Sequence, residues 1–175
     1  MTVFSILFLL ALTTQTPSPE PPISAITVTY DKFDDITLIR LGLGEFTDDR
    51  GTFVGSMLTS HSGKVRPEGL DSQVVLSIHR YGQRWEFLNE HQIRIVCGDD
   101  RIEHNSDHYS SNMKDGDCHE YLGTCLNRAT LKNCLAKNQD IEVRIGYSKP
   151  IPFMARARDK MKIFLEYLDK YPSSQ

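Results

Sequence analysis

Between residues 73 and 97 the chain reads QVVLSIHRYGQRWEFLNEHQIRIVC, and this stretch limits the fold more than any other. Val74, Leu76 and Ile78 alternate with Val75, Ser77 and His79. Alternation at period two places the first set on one face of a β-strand. Tyr81-Gly82-Gln83 interrupts the run, and Trp85 and Phe87 resume it on a common face. After Asn89-Glu90-His91, a third run carries Ile93, Ile95 and Cys97 on one side and Arg94 and Val96 on the other. Short polar connections between three such runs predict an antiparallel meander, with Trp85 as its core anchor.

The flanking chain predicts what surrounds this sheet. Residues 25–30, AITVTY, and 36–43 read as two strands, and Gly42, Gly44 and Asp48-Asp49-Arg50-Gly51 punctuate the way to a third over 52–59. Residues 60–71 are rich in Gly, Ser, His and Pro and predict a loop. The stretch 104–117, HNSDHYSSNMKDGD, has no apolar period and predicts a mobile loop. A strand over 119–125, a short helix over 128–137 and a half-buried strand over 141–147 follow. Met154, Ala157, Met161, Phe164, Leu165 and Leu168 recur at three- and four-residue intervals, which predicts an amphipathic helix over 154–171. Strands early and helices late define an α+β class: an antiparallel β-rich sheet or sandwich with the C-terminal helix packed on it.

Residues 3–12, VFSILFLLAL, form the longest apolar run. As a helix they would rise about 15 Å, half the hydrocarbon core of a bilayer. The run is too short to span, and its place before a polar segment is that of a signal-peptide h-region. Residues 1–16 therefore read as an export signal, 17–22 as a proline-rich linker, and 23–175 as a single domain with a proper core. The net charge of −3 is nearly balanced and points away from a nucleic-acid partner.

Three motifs resemble a broad group of exported bacterial proteins: Tyr30-Asp31-Lys32-Phe33-Asp34-Asp35-Ile36-Thr37, Arg84-Trp85-Glu86-Phe87-Leu88, and Ile141-Glu142-Val143-Arg144-Ile145-Gly146 before a C-terminal helix. The group shares a Tyr-Asp-x-Phe-x-Asp-x-Thr opening and a β-rich body. The resemblance implies export and fold, and carries no activity with it. The cysteines lie outside its pattern.

Four cysteines, Cys97, Cys118, Cys125 and Cys134, make an even set in the second half of the chain. In an exported protein this reads as two disulfides, and four thiols allow three connectivities. The pairing that closes short local loops is Cys97 with Cys118 and Cys125 with Cys134. For metal, His104, Asp107, His108 and His119 are the candidates, with Cys118 beside them. Histidines four apart could share a helix face, but this segment is composed like a solvated loop, with no reason to form that helix. Asp99-Asp100 and Asp115-Gly116-Asp117 lack calcium-loop spacing and read as turns.

Catalytic motifs do not emerge. There is no Gly-x-Ser-x-Gly, and Ser56 falls inside a strand pattern. Cys118 and His119 are neighbours that a strand would point oppositely. Gly42-Leu43-Gly44 lacks the rest of a dinucleotide loop, and no cofactor is called for. The six histidines read as scattered surface residues. The basic residues Arg156, Arg158, Lys160, Lys162 and Lys170 around the last helix allow peripheral membrane contact, or simply a solvated face over a docked stripe. The expectation is a secreted or periplasmic, non-catalytic binding or structural module for a protein or small-molecule ligand. The alternatives are an extracytoplasmic hydrolase with a dispersed His/Asp site, or a membrane-associated envelope accessory protein.

Overall fold

The computed structural model describes residues 25–48, 51–64, 73–87, 92–146 and 149–171, of which 47–48 and 103–107 are described as backbone alone. The expected signal segment and linker, 1–22, lie outside the described residues, as do much of the 60–71 loop and His91.

The chain runs β1 (Ile26–Asp31), β2 (Ile36–Asp48), β3 (Gly51–Ser62), β4 (Gln73–Gly82), β5 (Ile93–Cys97), β6 (Asp100–Arg101), β7 (Glu103–Lys114), β8 (Asp117–Asn127), α1 (Arg128–Ala136), β9 (Ile141–Ile145), β10 (Ile151–Pro152) and α2 (Ala155–Lys170). A six-stranded sheet has the order β1-β2-β3-β4-β8-β7, and a four-stranded sheet the order β10-β9-β5-β6. Every pairing is antiparallel. The α+β class read from the sequence is the observed one.

Each strand carries the pattern its composition demands. In β4, Val74, Leu76 and Ile78 are buried and Val75, Ser77 and His79 half-buried. In β5 and β9, Ile93, Ile95, Cys97, Ile141, Val143 and Ile145 are buried at alternate positions. Together with α1 and α2 these residues form one apolar cluster. Helix α2 lies against β2, α1 against α2 and β8, and β5 against β7 and β8. Asn127 starts α1 by accepting the amide of Thr130 at 3.0 Å, the usual side-chain solution for an unpaired first-turn donor.

The first turn explains its own sequence. Asp31 accepts the amide of Phe33 at 2.8 Å, and Tyr30 donates its hydroxyl to Asp35 at 2.8 Å. Asp35 has φ 51°, a left-handed value that aspartate tolerates better than most residues. Thr37, 1% exposed, donates to the carbonyl of Gly63 at 2.5 Å and ties the start of β2 to the end of β3.

The structure corrects the central expectation. Residues 73–97 do not form a meander: β4 joins the six-stranded sheet, β5 joins the other, and 83–87 between them has no strand pairing. Trp85 is half-buried, and Phe87, fully buried, is the aromatic that enters the core there. Phe87 stacks on Phe53 at 5.8 Å.

The expected mobile loop at 104–117 is instead the strand β7 and its turn into β8. Asp115 and Gly116 have φ 54° and 88°, the two positive values of a two-residue hairpin turn, for which Asp-Gly is a preferred pair. β7 lacks an apolar period because it is a sheet-edge strand of mostly polar residues.

The disulfide pairing differs as well. Cys97 at the end of β5 bridges Cys134 in α1, with Cα atoms 6.0 Å apart. Cys118 is a buried free thiol that donates to the Met113 sulfur at 3.6 Å, and Cys125 is a half-buried free thiol. Both stand on β8, seven residues apart and on opposite faces of the sheet, so they cannot join each other. The bridge closes a separation of 37 residues, for which the chain-entropy relation gives about 4 kcal/mol of stabilisation. Mass spectrometry of unreduced protein is expected to find the Cys97–Cys134 peptide and two alkylatable thiols. Four alkylatable thiols, or a bridge to Cys118 or Cys125, would contradict this arrangement.

Candidate functional site

The tripeptides His79-Arg80-Tyr81 and His119-Glu120-Tyr121 have the same form and lie 40 residues apart. In the β4–β8 ladder they meet head to tail: His79 opposite Tyr121, Arg80 opposite Glu120, and Tyr81 opposite His119. Side chains alternate across a sheet, so the first and third residues of each face one way and the middle ones the other. Two histidines and two tyrosines therefore make a box on the outer face, and an ion pair lies beneath it.

The box is held by contact among its own rings. His79 and Tyr121 are nearly parallel, 4.3 Å between centroids and 3° between planes. Tyr81 and His119 stack at 6.1 Å, and Tyr81 leans against His79 at 5.8 Å. Nε2 of His79 stands 3.0 Å from Nδ1 of His119, while the ring centroids are 5.2 Å apart and the planes 18° apart. The centroid separation exceeds the nitrogen separation by about a ring's width, so the two nitrogens lie near the line joining the rings. This is the geometry of one N–H···N hydrogen bond, with one imidazole donating and the other accepting. Burial, the nearby His119 and the Arg40 guanidinium together push the His79 pKa below the ordinary histidine value. The lowered value favours the neutral imidazole on His79.

Beneath the box, Glu120 is wholly buried. It accepts the amides of Glu86 at 2.9 Å and Phe87 at 2.7 Å, the Tyr109 hydroxyl at 3.3 Å and the Arg80 guanidinium at 3.2 Å. Arg80, 5% exposed, also donates to the carbonyl of Arg84 at 2.7 Å and stands 3.6 Å from the Glu86 carboxylate. One carboxylate thus fastens the 83–87 segment, including Phe87, to the sheet and fixes the strand register under the box. A buried carboxylate is tolerated only when its lone pairs are filled in this way.

Of the residues proposed from sequence as metal ligands, His119 belongs to the box, and His108 does not. His108 is exposed on β7 opposite Gly123, whereas His119 lies opposite Asn112. The two are not brought together, and the helix that would have aligned His104 with His108 is a strand with a register shift between them. The side chains of His104 and Asp107 lie outside the described residues. Among the described residues no group of three or more His, Cys, Asp or Glu side chains is placed to hold a metal ion. Asp99 and Asp115 sit in turns. His61, expected in a solvated loop, is 5% exposed at the end of β3, with Nδ1 3.0 Å from the Ser62 carbonyl and its ring 6.1 Å from Tyr171.

His79 and His119 read from sequence as solvated and separate, and the structure joins them. Tyr81, Tyr121, Arg40 and Glu120 carried no functional expectation, and Tyr81, read as part of a break, lies within β4. A signal was present in the repeated His-x-Tyr with oppositely charged middle residues, which is what two facing strands would show. The box offers aromatic faces for stacking, an imidazole pair for hydrogen bonding and a guanidinium nearby. Its described neighbours on the outer face include Ser77, Val54, Ser110 and Asn112.

Comparison with family models, with curated proteins and with solved structures finds no match for this chain. Among the described residues no helix is long and apolar enough to cross a membrane.

Proposed function

We propose that this is an exported, non-catalytic binding module whose recognition surface is the outer face of the six-stranded sheet around the His/Tyr box. The observation that carries the reading is the box itself. Tyr81 remains 46% exposed beside a histidine pair and above a buried ion pair that fixes the backbone under it. Aromatic residues held rigidly at a surface supply contact area at little entropic cost, which suits a ligand with a flat ring or planar polar group. The disulfide is compatible with an oxidising compartment outside the cytoplasm. The resemblance of the Tyr30–Thr37 opening to exported bacterial proteins supports the same compartment. The membrane-surface alternative is weakened because Ala157, Met161, Phe164, Leu165 and Leu168 are all buried. The apolar stripe of α2 is committed to the core.

Screening a library of ring-containing and planar small molecules against isotope-labelled protein by amide NMR tests the reading. Binders are expected to shift residues 77–81 and 119–123, and Tyr81→Ala is expected to weaken them at least tenfold while leaving Tm within a few degrees. Binders that consistently map elsewhere would overturn it. Turnover of an activated ester that disappears in His119→Ala would instead make the histidine pair catalytic.

A further inference from the structure

A groove of about 350 Å³ opens between the β2 bulge and the start of α2, away from the His/Tyr box. Ligand sites for small molecules begin at roughly this size, about 300 Å³. Its apolar wall is Leu43, Phe46, Phe153 and Met154, and its cations are Arg156 and Lys160. Phe46 stacks on Phe53 at 5.4 Å and meets Phe153 edge-on at 5.8 Å, so this wall is anchored in the core. Met154, a large apolar side chain, is 74% exposed at the mouth.

The groove owes its shape to backbone. The β2–β3 register shifts between Gly42 and Gly44, and Gly44 has φ 114°. That bulge turns the carbonyls of Gly42 and Leu43 toward Lys160, whose ammonium donates to them at 2.9 and 3.3 Å. An ammonium has three donors, so one is left for another acceptor. Burial first, and then the neighbouring Arg156, lower the Lys160 pKa. Arg156 has no ion-pair partner among the described residues. With Glu45 also in the lining, cations outnumber anions two to one. The first turn of α2 carries no acidic residue, although the partial positive charge at a helix start favours one. A carboxylate in the groove would balance the excess cation of this corner, and an apolar body would cover Phe46 and Met154.

We infer that the groove binds a small amphipathic anion, a carboxylate on an aliphatic or aromatic body, with Arg156 and Lys160 holding the charge and Phe46, Phe153 and Met154 the apolar part. The site is independent of the outer face, and neither reading requires the other.

Decanoate, decanol and decyltrimethylammonium, each below its micelle-forming concentration, are the probes, read by calorimetry and amide NMR on the full chain. Decanoate is expected to bind and to shift residues 43–46 and 153–160. The cation is expected not to bind, and the alcohol to bind at least tenfold more weakly. Arg156 is exposed, so Arg156→Glu should fold with unchanged Tm and lose decanoate affinity at least tenfold. Lys160→Met, which also removes two backbone contacts, is read only after Tm confirms a folded variant, and the same loss is expected. Equal binding of acid and alcohol, undiminished affinity in Arg156→Glu, or shifts confined to other residues would each overturn the inference.

Discussion

Replacing Phe164 with aspartate is expected to leave no folded protein. Phe164 has no exposed surface and lies in α2 among Met161, Leu165 and Leu168, all of which belong to the single core cluster. Truncating a buried phenylalanine costs about 3–5 kcal/mol through lost transfer energy and the cavity left behind. Aspartate adds the cost of taking an ionised carboxylate out of water without a partner, several kcal/mol more. The sum approaches or exceeds the roughly 5–15 kcal/mol that holds an ordinary domain together. Circular dichroism and thermal melting decide the matter: no cooperative transition is expected. A folded Phe164→Asp protein would mean that α2 is not essential to the core. Phe164→Leu, which keeps an apolar side chain, is expected to fold with a lowered Tm.

Glu120→Ala has the second-largest expected effect. The substitution removes the acceptor for the amides of Glu86 and Phe87 and for the Arg80 guanidinium in one step. It leaves Arg80 buried with its closest carboxylate partner gone and the Glu86 carboxylate, 3.6 Å away, on a segment no longer fastened by Glu120. Breaking a buried pair by deleting one partner typically costs about 3–5 kcal/mol, because a buried charge loses its compensation. A fall of that size in the free energy of denaturant unfolding is expected, with the largest amide shifts at residues 84–87 and in the box above. Loss of less than about 1 kcal/mol would show that Glu120 contributes no more than an ordinary neutral hydrogen bond. Restoring the charge balance with Arg80→Met in the Glu120→Ala background should recover part of the loss, since similarly shaped apolar residues often replace a buried pair at little cost.

What the sequence made legible is the local periodicity. β4, β5 and β9 alternate as read, α1 and α2 stand within a residue or two of the expected ends, and α2 buries the expected stripe from Ala157 to Leu168, while Met154 at its head is exposed. These follow from a side-chain period of 2 or 3.6, which a chain displays whatever it packs against. The α+β class followed from the order of those elements.

Strand partners are another matter. Alternation marks a strand and does not say which strand lies beside it. Closeness in sequence predicts that the run at 85–87 joins β4 to β5 in one meander, yet β8 arrives from 40 residues away to pair with β4, and β9 claims β5. The edge strand β7 escapes a sequence reading for a related reason: none of its described side chains, 108–114, is buried, so nothing there enforces an apolar period, and only Asp115-Gly116 announces its hairpin. The cysteine pairing depended on the same decision. Only the packing of α1 beside the end of β5 puts Cys134 within reach of Cys97, while placement on opposite faces keeps Cys118 and Cys125 apart. The histidine box was written in two short tripeptides, but register alone turned them into a site. The chain by itself determined which residues face a core, through periods that act over a few residues. Only the tertiary structure decided which faces meet, because that choice rests on contacts between segments tens of residues apart.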